Sequence, residues 1–203
     1  MPFPTTNRQA ELPAVNEILA SVGQAPVTTL DQTNPDVAIA YDTLLQVSRE
    51  VQAEGWTFNK EYDYPFKPDT DKFINIPNNV IALDLTDDYR QYDAIRRDGR
   101  LYDRVSHTFE WQEETLLCDV IWYFDWTDLP RPIQDYIVAR SAAIVSSRIV
   151  GDPNQFSVIQ QREAYTRAMA LEYECNQGDY TFFGHPKGGN FYNSYQPYHA
   201  LSR

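Results

Sequence analysis

Cysteine is scarce in this chain: two residues in 203, Cys118 and Cys175, too few and too far apart to make a disulfide framework. Both read as reduced thiols in a cytoplasmic setting. Histidine is nearly as rare. His107, His185 and His199 are scattered, and none stands in a His-Glu-x-x-His or paired-cysteine frame, so neither a metal site nor a cofactor is expected. No serine occupies a Gly-x-Ser-x-Gly elbow. The glycines of 184–189 lack the Gly-Lys-Ser/Thr ending and the following helix of a phosphate loop, and read as a hinge. There is no run of about 18 apolar residues to cross a membrane. Residues 1–6 lack the charged-then-apolar form of a secretory leader.

Positive charge is also in deficit, with 17 Lys+Arg against 29 Asp+Glu and a net charge of −12. An acidic surface repels a phosphate backbone, which argues against DNA binding through a basic patch. Two readings of the acidity remain, solubility and a channel wall that nucleic acid passes without sticking. The imbalance is local. Acids outnumber bases 7 to 2 in residues 1–58 and 15 to 8 in 59–127, but are matched 7 to 7 in 128–203. Aromatic residues are plentiful at 14%, including 14 Tyr, and supply rigid contact area with a polar handle.

Four stretches have helical period, and each is followed by a glycine: Gly23, Gly55, Gly151 and Gly178. The first helix is expected over about Leu12–Val22, with Pro13 in its first turn and Val15, Ile18, Leu19 and Val22 on one face. The second opens with Asn34 as N-cap and Pro35 at the first helical position, and buries Val37, Tyr41, Leu44, Leu45 and Val51. With Gly55 just past the helix end, Trp56 is expected to fold back on Val51 and anchor the chain where it leaves the helix. The third helix starts near Pro130–Pro132, runs to Val150 and is apolar on nearly all sides, so it is buried in a bundle or pressed between subunits. Gly151, Asp152 and Pro153 spell a tight αα-hairpin into a fourth helix reaching about Cys175, whose seam is read as Val158, Tyr165, Ala168 and Met169.

Residues 57–127 change period. Val80–Leu85 and Leu116–Phe124 read as strands, and Asp98-Gly99 is a hairpin signal between 92–97 and 100–104. Asn78-Asn79 and Pro65, Pro68 and Pro77 break the earlier part into turns and edge-like pieces. One small antiparallel sheet is expected. Residues 178–203 lose periodicity but hold seven aromatics, which favours a tail ordered against another surface. Carboxylates are grouped at Glu110, Glu113 and Glu114, and at Glu172 and Glu174; glycoside hydrolysis needs such a pair across a bond. In a chain this acidic they arise by chance on solvated segments.

The run Leu12 to Gly23 (Leu-Pro-Ala-Val-Asn-Glu-Ile-Leu-Ala-Ser-Val-Gly), then Gly55-Trp56-Thr57-Phe58-Asn59, Tyr102-Asp103-Arg104, Leu129-Pro130 leading into Tyr136-Ile137-Val138, and Met169 through Glu174 follow one another in an order that resembles the tail tubular protein A family of short-tailed podophages. The resemblance spans roughly residues 10–180. It implies a head-to-tail adaptor, or gatekeeper, forming a dodecameric ring between the portal and the tail nozzle (tubular protein B), with tail fibres docking nearby and genomic DNA ejected through the lumen. It places the chain in the virion tail, assembled in the host cytoplasm.

The combined expectation is an α+β fold: an antiparallel bundle of about four helices with an inserted small antiparallel β domain and an extended C-terminal tail. The divisions are 1–58 and 128–177 for the bundle, 59–127 for the insert and 178–203 for a partner-docking tail. No catalytic residue and no metal ligand is assigned. Tyr180, Phe182, Phe183, Phe191 and Tyr192 are expected to bind the portal, and Val51, Gly55 and Trp56 to form a structural anchor. The alternative is a polysaccharide or peptidoglycan hydrolase carried by a tail protein.

Overall fold

The structure, a computed structural model, describes residues 8–31 and 33–178. Its helices are α1 Arg8–Ser21, α2 Pro35–Gln52, α3 Arg131–Ile149 and α4 Pro153–Gly178. Its strands are β1 Lys60–Phe66, β2 Val80–Leu85, β3 Ala94–Arg97, β4 Arg100–Asp103 and β5 Leu116–Trp122. The fold is α+β, with the strands lying between the second and third helices.

Helix ends follow their punctuation. Gly23 takes φ +76°, and the bonds Gln24 N to Leu19 O (3.0 Å) and Gly23 N to Ala20 O (3.1 Å) close α1 in a Schellman cap. The Asn34 side chain accepts from Asp36 N at 3.0 Å and caps α2. α1, however, begins at Arg8, so Pro13 lies inside the helix and not in its first turn. The added turn brings the buried Glu11 carboxylate to the Tyr41 hydroxyl, which donates to it at 3.0 Å across the α1–α2 interface.

α3 is the axis of the bundle and touches α1, α2 and α4. Ten of its 19 residues are buried, among them Ile133, Tyr136, Ile137, Val138 and Val145. Most of its apolar surface is therefore covered within the chain, with Ile149 at its end left exposed. The hairpin into α4 uses Gly151 at φ +68°, and the Asp152 side chain accepts from Asn154 N at 2.9 Å.

α4 does not use the seam expected for it. Val158 is 67% exposed, Tyr165 66% and Met169 41%, and Ala168 is also exposed. The inner face carries Phe156, Ile159, Glu163, Thr166, Ala170 and Tyr173, and of these only Ala170 is fully buried. Polar ties supplement the packing: Arg162 pairs with Glu17, and Arg167 pairs with Glu54 (3.3 Å) while its guanidinium lies over the Tyr136 ring. A stripe of helical period tells which residues share a face but not which face is covered.

The insert holds two small sheets where one was expected. The first has the order β1-β5-β2, all antiparallel. Its central strand alternates strictly, with Leu116, Cys118, Val120 and Trp122 buried. β1 was not anticipated as a strand. Pro65 and a bulge with Asp63 at φ 56° obscure its pattern, and both are tolerated because β1 is an edge. The second sheet is the β3–β4 hairpin, turned by Asp98 (φ 51°) and Gly99 (φ 74°), both left-handed as a type I′ turn requires. Its inner residues, Ala94 and Leu101, share one core with Val80, Leu116 and Val120 of the first sheet. Segment 74–76 bonds to this hairpin through Ile76 N to Gly99 O (2.8 Å) and Leu101 N to Ile74 O (2.9 Å).

The described residues thus form two hydrophobic cores. One is helical and built around Ile18, Leu44, Ile133 and Ile137. The other is in the insert and built around Ile74, Leu101, Trp111 and Leu116. Phe124 packs against both.

Candidate assembly site

The segment Gly55-Trp56-Thr57-Phe58-Asn59 lies where the chain leaves α2 for the insert, and each of its residues has a task. Gly55 takes φ +77°, the left-handed conformation that favours glycine, and a Cβ there would also push the end of the Ile121 side chain on β5, 2.8 Å away. Gly55 N bonds to Gln52 O at 3.2 Å, half of a Schellman cap. The other half is replaced: the Trp56 indole N–H donates to Val51 O at 2.7 Å, and the ring is buried in the same core as Val51. Phe58 packs on Phe124 with ring centroids 6.3 Å apart.

Asn59, 1% exposed, supplies the third element. Its Oδ1 accepts from Trp56 N (2.8 Å), and its Nδ2 donates to Gln52 O and Trp122 O, both at 2.8 Å. Gln52, fully buried at the end of α2, does the same from the other side. Its Oε1 accepts from Phe124 N (2.8 Å) and its Nε2 donates to Phe124 O and Ser48 Oγ, both at 3.1 Å. All four N–H donors of the two carboxamides are thus used: one from each reaches the returning chain, at Trp122 O and Phe124 O, and the other two tie back to α2 at Gln52 O and Ser48 Oγ. Buried amides in this position cost free energy unless every donor is satisfied, and here they are.

Thr57 is held from the far end of the bundle. Glu174 on α4 accepts from Thr57 N at 2.9 and 3.1 Å and from Thr57 Oγ1 at 2.9 Å. The last turns of α4 are thereby tied to the start of the insert. Gln52, Asn59, Glu174 and the buried Glu11 had not been assigned these tasks from sequence. Their partners lie 30 to 117 residues away, with the exception of Asn59's local bonds and the Gln52 bond to Ser48.

The acids grouped in sequence do not converge. Glu174 is committed to Thr57, and Glu172, two residues away, is on an exposed side of the helix. Glu113 accepts from the Tyr92 hydroxyl at 3.1 Å, which holds that phenol above its ordinary pKa. Glu110 lies on an exposed bridge to Phe73. A cavity of about 210 Å³ between α1, α3 and residues 126–127 is bordered by Glu17 and Asp135. Glu17 is paired with Arg162, and Asp135 with Arg131 at 2.9 Å. Among the described residues, no three His, Cys, Asp or Glu side chains are placed to hold a metal ion.

Asp103, of the Tyr102-Asp103-Arg104 stretch, is a structural acid. Burial raises its pKa, but hydrogen bonds from the Ser106 hydroxyl and from the backbone of Val105, Asp93 and Ser106 outweigh it and leave the carboxyl below its ordinary 3.8. Because the folded pKa is depressed, the stability this turn contributes is present above about pH 3.8 and is lost as pH falls through the lower folded value. Burial, reinforced by Asp119 and Asp84, pushes the Cys118 thiol up to about 12, whereas Cys175 is exposed. The portal-binding candidates Tyr180, Phe182, Phe183, Phe191 and Tyr192 lie outside the described residues.

Comparison with known proteins bears on the whole arrangement. A profile of the tail tubular protein family matches residues 12–180. A relative, tail tubular protein A of Klebsiella phage KP34, is 26% identical over 168 residues, which are 82% of this chain and 88% of that protein. The match runs through all four helices, the stapled junction and the insert, and the chain belongs to the tail tubular protein family, a structural component of the phage tail.

Proposed function

We propose that this chain is the ring-forming adaptor that joins the portal to the tail nozzle and contributes to the conduit for DNA ejection, with no enzymatic step. The observation that carries the reading is the family match over residues 12–180, which takes in the bundle, the junction and the insert as one unit. In this reading residues 1–58 and 128–177 form the wall of a dodecameric ring. Residues 59–127 face the nozzle or the fibres. Residues 178–203 dock on the portal through Tyr180, Phe182, Phe183, Phe191 and Tyr192, the ordering of the tail being offset by buried aromatic area.

Side-to-side contacts between copies fall on α4, not on α3 as its apolar sequence had suggested. Val158, Tyr165, Met169 and Leu171 are exposed there, and large exposed apolar side chains grouped on one element suit an interface. The net charge of −12 supports a lumen wall that does not hold DNA. Assembly in the host cytoplasm accords with two unpaired thiols.

The test is the mass of the purified chain alone and after mixing with portal rings, by light scattering after size exclusion. A large complex of fixed stoichiometry is expected on mixing, and absence of association with the cognate portal overturns the reading. Truncation after Gly178 is expected to abolish that association; undiminished binding removes the tail from the interface while leaving the adaptor role standing.

A further inference from the structure

The β3–β4 hairpin closes with two arginines directly opposite each other, Arg97 and Arg100. Like charges in that relation destabilise a strand pair. Residues 59–127 carry 15 acids, so carboxylates that could neutralise the pair are plentiful. The neighbouring arginines are used in this way: Arg104 pairs with Asp93 at 2.6 Å, and Arg96 donates to Val80 O and Asn78 Oδ1. Arg97 and Arg100 make no ion pair among the described residues. Each is placed over an aromatic ring instead, Arg97 at 4.2 Å from the centre of Tyr102 and Arg100 at 4.5 Å from that of Phe73. Tyr102 is buttressed edge-on by Phe109 at 4.8 Å.

Strand alternation puts Ile95, Arg97, Arg100 and Tyr102 on the face opposite the buried Ala94, Leu101 and Asp103. Phe73, Tyr102 and Phe109 are half-buried beside the two exposed guanidinium groups. Ring contact orients a guanidinium without using its N–H donors, so both forks keep the capacity for bidentate bonds. Arginine and aromatic side chains of this kind carry most of the energy at protein interfaces.

We propose that this hairpin face docks a carboxylate-bearing segment of another tail protein, with Arg97 and Arg100 each taking one carboxylate. The inference rests on the tail-assembly reading above and gives the partner of the insert its chemistry. Nucleic acid is the poorer fit. Binding a phosphate backbone typically draws on about 6–10 contacts, and this face offers two guanidinium groups. Two aromatic-backed forks match two carboxylates.

The first test titrates the purified full chain with a short peptide carrying two glutamates in an otherwise uncharged sequence and, separately, with short duplex DNA, at low and high salt. The peptide is expected to bind, with affinity falling as salt rises. The double variant Arg97→Ala/Arg100→Ala is expected to bind at least about tenfold more weakly, with an unchanged melting temperature. Arg97→Lys/Arg100→Lys is expected to recover only part of the binding, because the planar fork is lost. No peptide binding by the wild-type chain, equal binding by the alanine variant, or tighter binding of DNA each overturns the proposal.

The second test supplies Arg97→Glu/Arg100→Glu in particle assembly. The variant chain is expected to enter particles while the next tail component fails to join. Normal particles overturn the docking proposal alone. Failure of the wild-type chain to enter particles overturns the assembly reading, whatever the arginines do.

Discussion

The two helices of the αα-hairpin, α3 and α4, are separated by a three-residue link and yet are built on opposite terms. α3 is surrounded by α1, α2 and α4 and buries ten residues of 19. α4 has 26 residues and buries two, Ala170 and Gly178. The first is fixed by packing. The second is fixed by a thin apolar seam and by polar ties to Glu17, Glu54 and Thr57. Helical period alone does not separate the two cases; the difference lies in what the rest of the chain brings against each helix.

Substitutions sort along this contrast. Ile137→Ala, in the middle of α3, is expected to cost about 2–5 kcal/mol of unfolding free energy, read as a lower midpoint in urea. Glu174→Ala strips Thr57 of its partner at the far end of α4 and is expected to cost about 1–3 kcal/mol. It is also expected to raise hydrogen exchange in the last turns of α4 and at residue 57 before the rest of the molecule responds. Tyr165→Ser with Met169→Ser, on the outer face of α4, is expected to leave the isolated chain within about 0.5 kcal/mol of wild type. The same pair is expected to lower assembly with the portal, so a large loss of stability in the isolated chain breaks the comparison.

The thiols give the gentlest probe. With a disulfide reagent at neutral pH, Cys175 on α4 is expected to react in the folded chain. Cys118, buried and with its pKa pushed up to about 12, reacts only after unfolding. Two thiols titrating in the native state place Cys118 in a mobile core.

How much of this was legible in the sequence depends on where each residue's partners lie. Asn34 caps its own helix and Asp98-Gly99 turns its own hairpin, so the partners are within a few positions and the pattern reads directly. Val80–Leu85 was bounded correctly as a strand because turn residues border it. The fold-back of Trp56 onto Val51 is likewise a local event, five residues long. Gln52 has no such signature: its partner is Phe124, 72 residues on, and a glutamine at the end of an exposed helix looks the same as one at a junction. Glu174, 117 residues from Thr57, passed for a member of an acidic pair for the same reason. β1 was hidden by the proline and the bulge that its edge position permits. The seam of α4 was misplaced because its inner face is lined by Glu163, Thr166 and Ala170, while larger apolar side chains are left outside.

The carboxamide staple has a mechanical consequence. An inserted domain joined to its host by two separate strands of chain can swing about them, each crossing acting as a pivot. Here Asn59 reaches from the first crossing to Trp122 O at the second, and Gln52 reaches from the host to Phe124. Their bonds span both crossings, so a sideways push on the insert is expected to load several at once. The two crossings are thereby linked to each other and to α2, and through Glu174 to α4, so bending at the neck is expected to require breaking these bonds together.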